Sequence, residues 1–329
     1  MGHGFGSGMW LRSSPGAFYN ARMNRRQSGR SLLGLLATTG LVACQTPPPA
    51  SPPPPFASPT PPLPSPPPKP PRPPRIGLAL GGGAARGFAH IGVIQVLEEA
   101  GIRPDLVVGT SAGSLVAALY AAGRPGAELA RVALAMDESA ITDWSFPGRG
   151  LIRGEALARY VREQTGGRTI EQLPMPLGIV ATDLDSGLAI LFQQGDVGMA
   201  VRASSAVPAV FQPVKIGNRE YVDGGLVSPV PVRFARQMGA ELVIAVDISS
   251  PPDGNATSDA FKMLMQTFAI MGKSINQFEL QGADVVLRPV LAGVSSADFT
   301  ARKRAIDAGR AAATAGLAAL KQRLAALTH

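Results

Sequence analysis

The chain has one cysteine and three histidines in 329 residues, and each scarcity excludes something. Cys44 has no partner for a disulfide within the chain. His3, His90 and His329 lie far apart, and nothing in the sequence has the ligand spacing of a structural or catalytic metal site. No apolar run approaches the ~20 residues that a membrane-spanning helix needs, and no internal repeat is present. Residues 1–75 contain no acidic side chain at all. They hold Arg12, Arg22, Arg25, Arg26, Arg30, Lys69, Arg72 and Arg75, which is the whole source of the +8 net charge. The remainder is formally neutral, with 23 basic and 23 acidic residues, so the charge gives no case for nucleic acid as a partner.

The basic leader reads as an address. Arg22 to Arg30 precede a short apolar run, Leu32 to Ala43, interrupted by Gly34, Thr38, Thr39 and Gly40. A basic segment, a short apolar segment and small residues make a secretory signal over residues 1–43, for which Met23 serves equally well as the start. Leu41-Val42-Ala43-Cys44 resembles a bacterial lipobox, which makes Cys44 the expected lipidation site and the bacterial envelope the expected location. Gln45 after the cysteine, by resemblance to lipoprotein sorting, favours the periplasmic side of the outer membrane. Residues 44–74 follow as a spacer, with 18 prolines between positions 47 and 74. Proline at that density excludes helix and ladder and favours polyproline II, with a reach of about 90 Å. One α/β domain is expected over 75–329.

Chemistry enters through two loops. Leu106-Val107-Val108 gives way at Gly109-Thr110-Ser111-Ala112-Gly113 to a helix-like segment ending near Ala122. A serine in a tight strand-to-helix turn between small residues is a nucleophile elbow, and Ser111 is the candidate acyl-transfer nucleophile. Upstream, the strand Ile76–Leu80 runs into Gly81-Gly82-Gly83-Ala84-Ala85-Arg86-Gly87. The dinucleotide and P-loop patterns both fail there: Ala84 or Arg86 falls where glycine is required, and no Lys-Ser/Thr pair follows. The loop does supply backbone N–H groups beside a helix start, the parts of an oxyanion hole, with Arg86 as an added positive charge. If the two strands are parallel neighbours joined by a helix over Gly87–Ala100, both loops emerge at one sheet edge.

A histidine is not the expected base. His3 and His329 sit at the extremes, and His90 precedes Ser111 inside the helix after the glycine loop, where packing or helix orientation is its expected role. A Ser-His-Asp triad is therefore not expected, and a carboxylate acting directly on the serine remains. Asp223, at the end of the strand-like Tyr221-Val222-Asp223 and before Gly224-Gly225, is the candidate.

With Ala203 to Phe211, whose core is Ser-Ala-x-Pro-x-x-Phe, these ordered motifs resemble the bacterial patatin-like phospholipase family over essentially all of 75–329. The resemblance implies a three-layer α/β fold and a Ser-Asp dyad that cleaves acyl esters of lipids with no metal or cofactor. Carried over, Ser111 is nucleophile, Asp223 base, and Gly82, Gly83 and Ala84 with Arg86 the oxyanion region. Ala84 stands where the family usually has a third glycine.

The rest agrees with a mostly parallel central sheet. Leu177–Thr182, Leu188–Gln193, Glu241–Asp247 and Val285–Arg288 have strand length and are interleaved with helical patterns. Phe261, Met265, Phe268 and Met271, with Met263 and Leu264, are expected either to pack into the core or to rim an acyl groove. Thr300–Thr328 is expected to be a terminal helix on the sheet. The expected partners are an acyl-ester lipid and a membrane. The competing readings are a lipid-binding protein without turnover and a nucleotide-binding protein using the glycine loop.

Overall fold

A computed structural model describes residues 72–143, 149–250, 259–295 and 297–328. The signal segment, Cys44 and nearly all of the proline spacer lie outside the described residues. β1 (Ile76–Leu80) leads through a 3-10 turn at Ala84–Gly87 into α1 (Phe88–Glu99). β2 (Leu106–Thr110) is followed at once by α2 (Ala112–Ala121), then by α3 (Gly126–Ala135). A short β3 (Gly150–Ile152) and α4 (Glu155–Gln164) precede the long strand β4 (Leu177–Asp183) and its hairpin partner β5 (Ala189–Phe192). After α5 (Val197–Ser204) come β6 (Ala209–Phe211), β7 (Val214–Ile216) and β8 (Arg219–Asp223). The chain finishes with α6 (Val232–Gln237), β9 (Leu242–Val246), α7 (Ala260–Glu279), β10 (Val285–Leu287) and α8 (Arg302–Leu327).

The main sheet runs β10-β9-β1-β2-β4-β8-β7, with β5 on the other edge of β4. From β10 to β4 every pairing is parallel, and β5, β7 and β8 are antiparallel additions. β1, β2 and β9 are unbroken apolar runs because both of their faces are covered. On one face Leu78, Leu80, Ile179, Ile244 and Val246 pack with α1, α2 and α8. On the other, Ala79, Val108, Val180, Val243 and Ala245 meet Val232, Phe234 and Ala235 of α6. That makes the three layers expected from the strand and helix alternation.

α8 is the terminal helix expected on the sheet: it reaches β10 and β9 and lies chiefly along α1. The helices approach so closely that a Cβ on Gly309 would stand 1.9 Å from the Ala89 carbonyl oxygen. α7 neither packs its apolar stripe into the core nor rims the cavity described below: only Asn276 and Glu279 are buried. Leu264, Met265, Phe268 and Ile275 are half-buried, whereas Phe261, Met263, Ile270 and Met271 stay exposed.

Candidate active site

β1 and β2 are parallel neighbours in register from Gly77↔Leu106 to Leu80↔Gly109, so the glycine loop and the elbow leave the sheet side by side. A Cβ on Gly82 would lie 3.1 Å from that of Ser111. The elbow is strained, with Ser111 at φ 53 and ψ −125. Such a conformation costs on the order of 1–3 kcal/mol and persists only where the surroundings impose it. They do so through contact: a Cβ on Gly113 would be 2.2 Å from the Leu80 carbonyl oxygen, so only glycine lets α2 start this near β1.

β4 brings the two candidate residues together. Thr110 of β2 is opposite Val180, and Asp223 of β8 is opposite the next residue, Ala181. β5 occupies the other edge over the same stretch, so β2 and β8 share one edge of β4 and meet end to end. Ser111 leaves the end of one strand where Asp223 closes the other. Side chains from the edge pin the junction. Ser204 Oγ accepts the Ser111 N–H at 2.9 Å and donates to the Val180 carbonyl at 2.6 Å. Thr182 Oγ1 donates to the Asp223 carbonyl at 2.8 Å, and Thr110 Oγ1 to the Ser228 carbonyl at 2.9 Å.

Asp223 is buried. Its Oδ1 accepts the Gly225 N–H at 2.6 Å, whereas Oδ2 has no hydrogen-bond partner among the described residues. Burial pushes its pKa up to about 6, opposed by the Ser111 hydroxyl, which approaches without full hydrogen-bond geometry, and by the Gly225 N–H. An ordinary carboxylate is a poor acceptor for a serine proton, and a desolvated one is a better base.

The glycine loop divides its labour. Gly82 donates its N–H to the Pro229 carbonyl at 2.9 Å, so its amide is not an available oxyanion donor, and its part is to let the loop approach Ser111. The Gly83 and Ala84 amides have no acceptor among the described residues. Ala84 takes φ 49, the conformation that suits a glycine at this position. Arg86 is no surface arginine: it is buried, bonds Ser250 Oγ, and its pKa is lowered by desolvation against the opposing charge of Asp247. His90 is fully buried, with Nε2 2.8 Å from the Gly81 carbonyl oxygen. Desolvation lowers its pKa to about 4, so at neutral pH the ring is uncharged and Nε2–H is the donor that holds the loop. It is a brace for the loop rather than a base.

An apolar cavity of about 160 Å³ reaches Ser111. Phe88, Leu115, Leu119, Leu129 and Tyr160 of the helices α1 to α4 and Phe211 of β6 are among its walls, with Ser205 and Val207. Of the residues found here, Ser204 was missed by motif reading. It immediately precedes the Ser-Ala-x-Pro run, which begins at Ser205, and a serine that bonds backbone across the sheet looks like any other serine.

The family model for patatin-like phospholipase matches residues 78–236, which hold the glycine loop, the elbow and Asp223. The chain belongs to the patatin-like phospholipase family. Among its relatives is an NTE family protein of Mycobacterium tuberculosis, 41% identical over 185 residues that cover 55% of this chain and 51% of the relative. Another is patatin-like phospholipase domain-containing protein 6 of Mus musculus, 33% identical over 230 residues, 67% of this chain and 16% of that protein. The chain thus spans about half the length of the mycobacterial NTE family relatives it matches. Among solved structures, VipD from Legionella pneumophila superposes with a TM-score of 0.49 at 15% identity, over 73% of this chain and 65% of VipD.

Proposed function

We propose that this patatin-like protein hydrolyses acyl esters of lipids through a Ser111–Asp223 dyad. Ser111 Oγ attacks the acyl carbonyl carbon while Asp223 takes the hydroxyl proton, and the carbonyl oxygen becomes an oxyanion facing the Gly83 and Ala84 N–H groups. Collapse expels the alcohol portion of the lipid, which takes its proton from Asp223, and leaves an acyl-serine. Water then attacks the ester, Asp223 again accepts a proton, and the fatty acid leaves as serine recovers its hydrogen. Arg86 adds positive charge to the oxyanion loop, and the N-terminus of α2 adds the favourable end of its dipole. The acyl chain occupies the apolar cavity, where each buried methylene contributes about 0.8 kcal/mol.

The observation that carries this reading is the end-to-end meeting of β2 and β8 on β4, which sets a strained serine beside a buried carboxylate with one oxygen unpartnered among the described residues. Assays of wild type, Ser111→Ala and Asp223→Asn against phospholipids, lysolipids and short-chain esters test it. Each variant is expected to lose turnover by at least about 1000-fold. Full activity in either overturns the dyad. Bound lipid with no turnover in wild type favours a lipid-holding protein instead.

We further infer envelope tethering through Cys44, supported by the lipobox-like Leu41-Val42-Ala43-Cys44 and the proline spacer. Intact mass of the membrane-extracted protein is the test, and an unmodified cysteine overturns it.

A further inference from the structure

α7 is twenty residues long and follows β9, yet its buried side chains are Asn276 and Glu279, both near its C-terminus. The preceding stretch, Ala260–Ile275, is about 24 Å of helix with no buried side chain. It is not polar. Met263, Ile270 and Phe278 are 57%, 51% and 74% exposed, and Phe261 and Met271 are exposed too. Met263, Ile270 and Phe278 recur at helical spacing and share one face. Lys262 and Lys273 lie along one border of it, and no acidic residue occurs between Ala260 and Phe278. Lys262 also reaches back to the N-cap residue Asp259 at 3.7 Å.

The buried end of α7 ties it to the site. Asn276 Nδ2 donates to Ser249 Oγ at 2.9 Å, just beyond the end of β9. Glu279 accepts Ser228 Oγ at 2.9 Å and pairs with Arg233 at 2.8 Å. Ser228 and Pro229 are the residues whose carbonyls accept Thr110 Oγ1 and the Gly82 N–H, immediately before the nucleophile and at the start of the oxyanion loop. The exposed helix is therefore anchored at the sheet edge from which both loops emerge.

We propose that α7 is a docking helix for an anionic lipid surface. Its exposed apolar side chains enter the acyl boundary, and Lys262 and Lys273 meet the negative head groups, which is the arrangement of an interfacial amphipathic helix. The charge selects this occupant: Lys273 is joined by Lys262, which is shared with the N-cap Asp259, and with no carboxylate between Ala260 and Phe278 the exposed turns complement an anionic bilayer, whereas a second copy of the helix would bring like charge. The inference rests on the lipid-hydrolase reading for its purpose, since docking at this edge brings the Ser111 cavity to the membrane.

The test uses the full chain carrying Cys44→Ser, so that a lipid anchor does not contribute, and Ser111→Ala in the binding arm, so that vesicles are not consumed. Flotation with phosphatidylcholine vesicles, with and without phosphatidylglycerol, is compared for the parent and for Met263→Ser/Ile270→Ser/Phe278→Ser. The triple variant is expected to bind on the order of 100-fold more weakly. Lys262→Gln/Lys273→Gln is expected to lose the preference for phosphatidylglycerol. With Ser111 restored, the triple variant is expected to keep hydrolysis of a soluble short-chain ester and its melting temperature, while hydrolysis of vesicle lipid falls. Unchanged flotation of the triple variant overturns the proposal, as does a parent that self-associates through this face and does not float with vesicles. Because flotation is read without turnover, docking stands or falls separately from the dyad.

Discussion

Asp223→Asn should make the protein more stable while it removes the base. In the folded protein the carboxyl ionises near pH 6, against 3.8 in an unfolded chain. At 1.36 kcal/mol per tenfold change in proton affinity, that difference costs the ionised native state about 3 kcal/mol at neutral pH. The raised pKa means that the native state binds the extra proton, so this cost is absent below about pH 4 and fully present above about pH 6. His90 works in the opposite direction. Its pKa falls from 6.5 to about 4 on folding, so its protonation destabilises the native state as pH drops, again by about 3 kcal/mol. In the wild type the two slopes nearly cancel between about pH 4 and 6.5. Asn removes one of them and still offers an oxygen to the Gly225 N–H. Urea unfolding across this range should show the variant equal to wild type near pH 4 and more stable by up to about 3 kcal/mol at pH 7.5. The reasoning is refuted if the variant is no more stable at pH 7.5, or if its gain is the same at both ends of the range.

The same carboxylate sets the activity profile: kcat/KM for lipid esters should rise about tenfold per pH unit up to an inflection near 6 and then level, as titrated initial rates will check. Ser204→Ala removes the acceptor of the Ser111 N–H and the donor to Val180, and should lower kcat roughly 10- to 100-fold with a loss of about 1–3 kcal/mol in urea unfolding. Ala84→Gly relieves the positive φ and should keep hydrolysis and gain up to about 1 kcal/mol, measured the same way. Gly113→Ala drives a methyl into the Leu80 carbonyl and should give no soluble folded protein on size-exclusion chromatography.

The local features were legible from residue order because local geometry encodes them. Only small residues turn a strand into a helix around Ser111, and only long apolar runs survive burial on both faces, so the elbow, the glycine loop and the parallel strands follow from composition and spacing. The shortage of histidine, equally a property of the sequence, turned attention from a triad to Asp223. The tertiary structure decided what no local pattern contains. Asp223 meets Ser111 because β2 and β8 share one edge of β4, a pairing set by the register of strands distant in the chain. The Gly82 amide is taken by Pro229 across the site, leaving the Gly83 and Ala84 N–H groups without an acceptor among the described residues. The stripe on α7 was correctly apolar, but an amphipathic pattern states only that a face avoids water. What covers that face depends on the surfaces that packing brings near, and among the described residues packing left Met263, Ile270 and Phe278 exposed beside the nucleophile's edge of the sheet.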